Sequence, residues 1–336
     1  MSFALNLANI EDTVQKPQEY GRFMQHCYLL FDVRRLSLFS EAIEKTKASG
    51  VAVDVGSGNG ILSLMALKHG YEHVFMIEPS DKIAQYATHL LEKNGMAGRF
   101  TIIDQPLEYV NLSRLPKQLG LVVSETISSL IFGFGSWDAF PTLVSRVSSK
   151  ESIIPTRGKL NFILVEDDSI PRTGLPPANG FDFLRSKSIE VDLLDYTFFS
   201  SGNMYAVNFE KALQNYIEES KPQIATMQGF DFTKSNPYPA KVASTVAIPS
   251  KAAYKGIIGW FSVELSHDGK TILSSVDPTL FAWKPFYIPL KRPIKGSEFS
   301  EISLELMLKR VDAPYTYAFQ FADHISGKEL TNILYW

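Results

Sequence analysis

Val51-Ala52-Val53-Asp54-Val55-Gly56-Ser57-Gly58-Asn59-Gly60-Ile61-Leu62-Ser63 reads as a buried strand, a glycine turn and the start of a helix. The first five residues form an apolar run broken by one acid, as in a parallel strand covered on both faces. Three alternating glycines follow, and glycine is the residue that takes positive φ in a tight turn and lets backbone approach a neighbour closely. A second apolar run, Val74-Phe75-Met76-Ile77, ends at Glu78, twenty residues after Gly58. Two such runs flanking a helix predict a βαβ unit with a carboxylate at the tip of its second strand, where an acid can grip both hydroxyls of a ribose. A nucleoside ligand is the expectation, although glycine turns of this kind also occur where nothing binds.

The glycine spacing separates candidate nucleosides. Gly56, Gly58 and Gly60 alternate, whereas dinucleotide sites favour G-x-G-x-x-G, whose last glycine lets a helix pack close behind a pyrophosphate. S-adenosylmethionine (AdoMet) carries no phosphate and needs only a tight turn and a diol-binding acid. The pattern favours AdoMet over NAD, and nothing in the chain nominates the proton donor and nicotinamide pocket of a dehydrogenase.

The chain has 336 residues, 45% of them hydrophobic, enough for two packed cores. A formal net charge of -3 gives no general basic footprint for nucleic acid, whose binding depends on neutralising phosphates. Cys27 is the single cysteine, which excludes an internal disulfide and a cysteine-rich zinc site, and the six histidines show no metal-ligand spacing. No stretch has the roughly 18 apolar residues of a membrane span, and the start of the chain lacks the basic region of a secretory signal. A soluble cytoplasmic protein is expected.

From 51 to about 165 short apolar runs alternate with helical stripes, as a parallel α/β sheet requires. Ser80 is placed to cap a helix with Ile83, Tyr86, Ala87, Leu90 and Leu91 on one face and Gly95 at its end. Phe100-Thr101-Ile102-Ile103 and Leu119-Gly120-Leu121-Val122-Val123-Ser124 are further strands, and Glu125 follows the latter at the edge where open α/β sheets place ligands. Beyond Ile154-Pro155-Thr156-Arg157 the period changes to two. Phe261, Val263 and Leu265, then Ile302, Leu304, Leu306 and Leu308, then Tyr315, Tyr317, Phe319 and Phe321 alternate with other residues, and Asp268-Gly269 marks a hairpin. Antiparallel strands with one buried face follow, in a barrel or sandwich. Ile170 to Gly180, with three prolines and two glycines, reads as a loop, and 208–217 as a helix.

Several of these segments together resemble the protein arginine methyltransferases, from about Tyr20 to about 310. Tyr20-x-x-Phe23-x-x-His26 resembles the helical motif that folds over AdoMet in that family as a lid, and Asp32-Val33-Arg34-Arg35 resembles its D-x-V-R segment. The resemblance implies that Arg35 clamps the methionine carboxylate, a task its planar fork suits. It also implies that Asp54, Gly56, Gly58 and Gly60 form the cofactor loop, that Glu78 with Pro79 holds the ribose, and that Leu107 and Glu108 contact adenine. Ile154-Pro155-Thr156-Arg157 resembles the family's junction into its β-barrel. The implied architecture is α/β plus β: an N-terminal helical lid segment (1–50), a Rossmann-like AdoMet-binding domain (51–155) and a β-barrel acceptor domain (156–336). A helical dimerisation arm is implied within 185–220, and with it a homodimer.

Two departures bear on the acceptor. The family carries S-E-x8-E, two glutamates that hold the acceptor guanidinium. Here Ser124-Glu125 keeps the first, while the position of the second is Phe134, within Leu130-Ile131-Phe132-Gly133-Phe134-Gly135, and the nearest acid is Asp138. The family's T-H-W loop is also changed, with Ala282 in place of the histidine before Trp283.

A guanidinium offers a poor lone pair, and two carboxylates help by holding the cation and drawing charge toward the far nitrogens. One carboxylate with an aromatic opposite makes a half-apolar pocket, lined by Phe132, Phe134 and Trp283, in which Glu125 is the orienting and catalytic acid. Losing a charge-assisted partner costs on the order of 2 kcal/mol in binding. The expectation is an AdoMet-dependent N-methyltransferase acting on a small metabolite with a guanidine, amine or ring nitrogen. A peptide or protein arginine is the alternative acceptor, and a non-catalytic AdoMet-binding scaffold the alternative of another class.

Overall fold

In the computed structural model the described residues are 26, 29–127, 131, 140–166, 209–234, 241–280, 282–311, 316–321 and 332–335. Tyr20, Phe23, Phe132, Phe134, Asp138, the 170–180 loop and most of the expected arm lie outside them.

Helix α1 (Val33–Glu44) begins at Asp32, whose carboxylate Oδ1 accepts from the Arg35 amide at 3.0 Å, the usual way an aspartate satisfies a free helix N–H. Its buried side is Arg35, Leu38, Phe39, Ala42 and Ile43. Then come β1 (Val51–Val55), α2 (Ile61–His69), β2 (His73–Ile77), α3 (Asp81–Lys93), β3 (Phe100–Ile103), β4 (Leu121–Ser124), the short α4 (Phe140–Val144) and β5 (Ile153–Ile154). The five strands are parallel, in the order β3-β2-β1-β4-β5. The chain winds outward from β1 through β2 to β3 and then returns to β4 on the other side. β1 and β4 therefore bound the switch point of the sheet, where a crevice opens beyond the strand tips.

The register brings the candidate residues into line. Val55 pairs with Ile77 and with Ser124, and Ile77 pairs with Ile103. The next residue on each strand is therefore Gly56, Glu78, Glu125 and Asp104, all at one edge.

The helix expected after Ser80 is α3, ending before Gly95, which takes φ 76°. Two details differ. Ser80 occupies the cap position without a side-chain cap bond, and its amide instead donates to Glu78 Oε1 at 2.9 Å. Ile83, Ala87 and Leu91 are buried, while Tyr86 is exposed, since the sheet covers a narrower stripe of the helix than the apolar pattern spans.

After a cis Ile154–Pro155 bond, β6 (Arg157–Val165) opens the second half. Helix α5 (Phe209–Ser220) and β7 (Ala225–Asp231), β8 (Lys241–Ala247), β9 (Ala253–Glu264), β10 (Ile272–Ser274), β11 (Phe286–Lys295), β12 (Glu301–Val311), β13 (Thr316–Phe321) and β14 (Asn332–Tyr335) follow. The pairings described are antiparallel, in one sheet ordered β10-β9-β6-β7 with β11 also on β9, and another ordered β14-β13-β12-β8. This is a barrel-like β region, as expected. The expectation of one buried face is corrected at β9, which is buried at eight consecutive positions from Gly256 to Val263. Phe261 and Val263 face the main core, while Ile258 and Trp260 pack with Ile163, Val165 and Leu213 of α5. The helix covers the face that the alternation alone would leave to water.

Candidate active site

Glu78 is 8% exposed at the tip of β2. Its Oε2 accepts from the Gly58 amide at 3.0 Å and its Oε1 from the Ser80 amide at 2.9 Å. The carboxylate is thus pinned between the glycine turn and the start of α3. The three glycines take φ 67°, 52° and 81°, the left-handed region that side chains avoid. Space restricts them as well. A Cβ on Gly56 would meet Thr126 Cγ2 at 2.3 Å, one on Gly58 the His26 ring at 2.9 Å, and one on Gly60 Leu91 Cδ1 at 2.9 Å. Gly56 and Gly60 therefore admit the protein's own side chains as much as any ligand.

The described part of the expected lid closes on this turn. His26 lies against Gly58, and its carbonyl accepts from Asn59 Nδ2 at 3.1 Å. Burial, reinforced by the Arg35 charge, holds the His26 imidazole below its ordinary proton affinity.

Arg35 and Glu125 form an ion pair at 3.0 Å, with side chains only 3% and 11% exposed. Arg35 Nη1 donates to the Leu29 carbonyl at 2.9 Å, the guanidinium carbon lies 5.9 Å from the centre of the Phe39 ring, and Nε has no partner although buried. Burial raises the proton affinity of Glu125, and the Arg35 charge opposes that rise. Asp54 is fully buried near the end of β1, and its Oδ2 accepts from Ser63 Oγ of α2 at 2.7 Å while Oδ1 is unpartnered. This carboxyl braces strand to helix.

Leu107 is buried in the core and Pro79 is exposed beside Glu78. Glu108, on the short turn after β3, has a buried Oε1 with no partner. Trp283, expected to line an acceptor pocket, packs into the core edge-on to Phe261, and its Nε1 donates to the Ile127 carbonyl at 2.7 Å. It supports the backbone two residues beyond Glu125. The sequence gives little sign of two other contributors. Thr126 fills the space left by Gly56, and the Ala282 amide donates to Asp32 Oδ2 at 2.9 Å. The altered tryptophan loop thus keeps hold of Asp32 through its backbone.

Along the sheet edge the order is Glu108 beyond β3, Glu78 on β2, the glycine turn on β1, and Glu125 with Arg35 at β4. Four adjacent strands span about 14 Å at their usual spacing. An acceptor oxygen lacks a donor at one end of this line and a guanidinium nitrogen lacks an acceptor at the other. The polarity suits an elongated nucleoside with an amino-bearing ring, a diol and a terminal carboxylate. Among the described residues no cluster of His, Cys, Asp and Glu could hold a metal ion, and no helix is long and apolar enough to cross a membrane.

No family model matches the chain. Among curated proteins it is 23% identical over 285 residues to the arginine N(omega)-methyltransferase of Streptomyces achromogenes subsp. streptozoticus, covering 84% of this chain and 75% of that protein. It is 28% identical over 156 residues to the histone-arginine methyltransferase CARMER of Drosophila grimshawi, a match covering 46% of this chain and 28% of that protein. The fold resembles that of protein arginine methyltransferase 10 of Arabidopsis thaliana, with a TM-score of 0.63 at 14% identity over 91% of this chain and 95% of that one. It also resembles a chain of the Trypanosoma brucei PRMT1 enzyme–prozyme heterotetrameric complex with AdoHcy, with a TM-score of 0.61 at 14% identity over 93% and 96%. With the strand-tip geometry, these likenesses support an AdoMet-dependent N-methyltransferase, similar in sequence to arginine methyltransferases and in fold to protein arginine methyltransferases.

Proposed function

We propose that the protein methylates a nitrogen of a small metabolite bearing a guanidine or amine, as a cytoplasmic homodimer, with Glu125 orienting the acceptor. The observation that carries this reading is Glu125 itself, a nearly buried carboxylate at the β4 tip, directly beside the β1 glycine turn. AdoMet, when bound, would supply a sulfonium methyl carbon open to in-line attack by an acceptor lone pair, with the neutral thioether as leaving group. The protein's part is positioning and electrostatics. Arg35 suits the carboxylate end of the cofactor, Glu78 the ribose and Glu108 the adenine amino group. A carboxylate at Glu125 aims a cationic acceptor and draws its charge away from the reacting nitrogen. The raised proton affinity of Glu125 suits it to accept the proton released on methylation.

Two observations favour a small acceptor over a peptide. Phe134 stands where the family's second acceptor glutamate falls. A relative matched over 84% of this chain is named for arginine, while the CARMER relative named for histone arginine is matched over 46% of it. That shorter match keeps peptide arginine as the second reading.

The test is mass spectrometry of reactions containing AdoMet and a panel of free arginine, other guanidines, amines and histone-like peptides. A one-methyl gain on a small guanidine or amine, and none on the peptides, is expected. Gain on the peptides alone overturns the small-acceptor reading. Glu125→Gln is expected to lower turnover by about 100-fold or more, and an equally active variant removes Glu125 from the chemistry.

A further inference from the structure

The acceptor carboxylate and the cofactor arginine hold each other. Arg35 Nη2 donates to Glu125 Oε2 at 3.0 Å, and both side chains are almost shielded from water. An ion pair so placed is not screened as a surface pair is, and each charge is neutralised mainly by the other. The guanidinium is nevertheless not saturated, because Nη1 reaches Leu29 O while Nε is buried without an acceptor. It is anchored by the Leu29 carbonyl and by packing on Phe39, so its place does not depend on Glu125 alone. Glu125 thus occupies the guanidinium that the proposed site would offer to the carboxylate of the cofactor.

We infer that Glu125 is a built-in competitor for the cofactor carboxylate, so that Arg35 links the two subsites and a cationic acceptor gains its counter-charge only after the cofactor is in place. This deepens the proposed function and rests on its AdoMet site. In the free protein the acceptor carboxylate is neutralised by Arg35 and holds a second cation weakly. A ligand carboxylate brought to the same guanidinium takes a share of its charge, and Glu125 is left with net negative charge facing the acceptor. Such linkage is reciprocal: whatever Glu125 contributes to acceptor binding after this exchange, it withholds from cofactor binding before it. The cofactor binds first for an electrostatic reason, with no lid movement required.

Calorimetry with two nucleosides separates this inference from the reading beneath it. S-adenosylhomocysteine carries the amino-acid carboxylate, and 5′-methylthioadenosine lacks it. Glu125→Gln is expected to bind S-adenosylhomocysteine about tenfold tighter than the natural protein, within the usual range of such coupling, and to bind 5′-methylthioadenosine equally well. Equal or weaker binding of S-adenosylhomocysteine to the variant, with 5′-methylthioadenosine unchanged, overturns the competition. If neither nucleoside binds the natural protein, the AdoMet site itself falls. A second measurement needs no variant: agmatine, a guanidinium probe, should bind the S-adenosylhomocysteine complex about tenfold tighter than the free protein or the 5′-methylthioadenosine complex. Agmatine binding no tighter to the S-adenosylhomocysteine complex than to the free protein also overturns it.

Discussion

Asp54 shows how a single buried acid can tie the stability of this fold to pH. Burial pushes its carboxyl up to about 7 from an ordinary 3.8, with the Ser63 hydroxyl opposing and the Glu125 charge assisting. A carboxyl whose folded affinity for protons exceeds its unfolded one keeps more protons in the folded state, so stability falls as pH rises between those two values. The fully protonated form is favoured below about pH 4, and the penalty is complete above about pH 7. Between pH 5 and pH 8 this one group should remove about 3 kcal/mol of unfolding free energy. Asp54→Asn keeps the size of the side chain and an acceptor for Ser63 without the titration, so its stability should decline less over that interval. Urea unfolding of both proteins at the two pH values measures the difference, and parallel declines would show that Asp54 is ionised already at pH 5.

At the scale of elements, the segment 277–284 acts on the site from outside it, through helix α1 and the backbone after Glu125. Arg34 pairs with Asp277 at 2.9 Å, the Ala282 amide meets Asp32 at 2.9 Å, and Trp283 reaches the Ile127 carbonyl at 2.7 Å. One loop therefore fixes both the start of the helix carrying Arg35 and the backbone following Glu125. Trp283→Phe keeps most of the ring packing against Phe261 but leaves a buried carbonyl without its donor. A loss of about 2 kcal/mol in stability is expected. The larger effect should fall on kcat, with the affinity for S-adenosylhomocysteine retained, because the loosened backbone lies just beyond Glu125, the acid proposed to orient the acceptor. Urea titration with steady-state kinetics distinguishes this from a purely structural role, for which kcat would stay unchanged below the unfolding transition. These links were hidden from a reading of the chain. Gly56, Glu78 and Glu125 could be placed because each directly follows an apolar strand run, and strand tips need only local periodicity to find. Asp32 stood out only as the first residue of a motif resemblance, and its bond to an amide 250 positions away leaves no periodic trace. Tyr86 misled for a related reason, since helical spacing marks a stripe but not how wide a neighbour will cover it.

At the scale of the whole molecule, the boundary between β5 and β6 is a change of architecture without a break in the core. One continuous apolar cluster contains Phe39, Val53 and Val123 from the parallel half and Phe230, Phe261 and Leu273 from the β region. Polar ties cross the same boundary. Thr271 Oγ1 donates to Glu41 Oε1 at 2.7 Å, and Lys45 Nζ donates to Thr271 Oγ1 at 2.8 Å. Sequence period correctly separated the halves into α/β and β, since it reports which face of each strand is covered. It could not report that the coverings are shared, or that α5 would close the outer face of β9. Shared burial predicts shared unfolding. The slowest-exchanging amides of β1 and β4 should open with the same free energy as those of β6 and β9, because neither sheet keeps a complete core without the other. Native-state hydrogen exchange with rising urea tests this directly. Convergence of both sets on one global unfolding line is the expected result, whereas a β region that exchanges through a lower, separate opening would mean that it can detach while the parallel half stays folded.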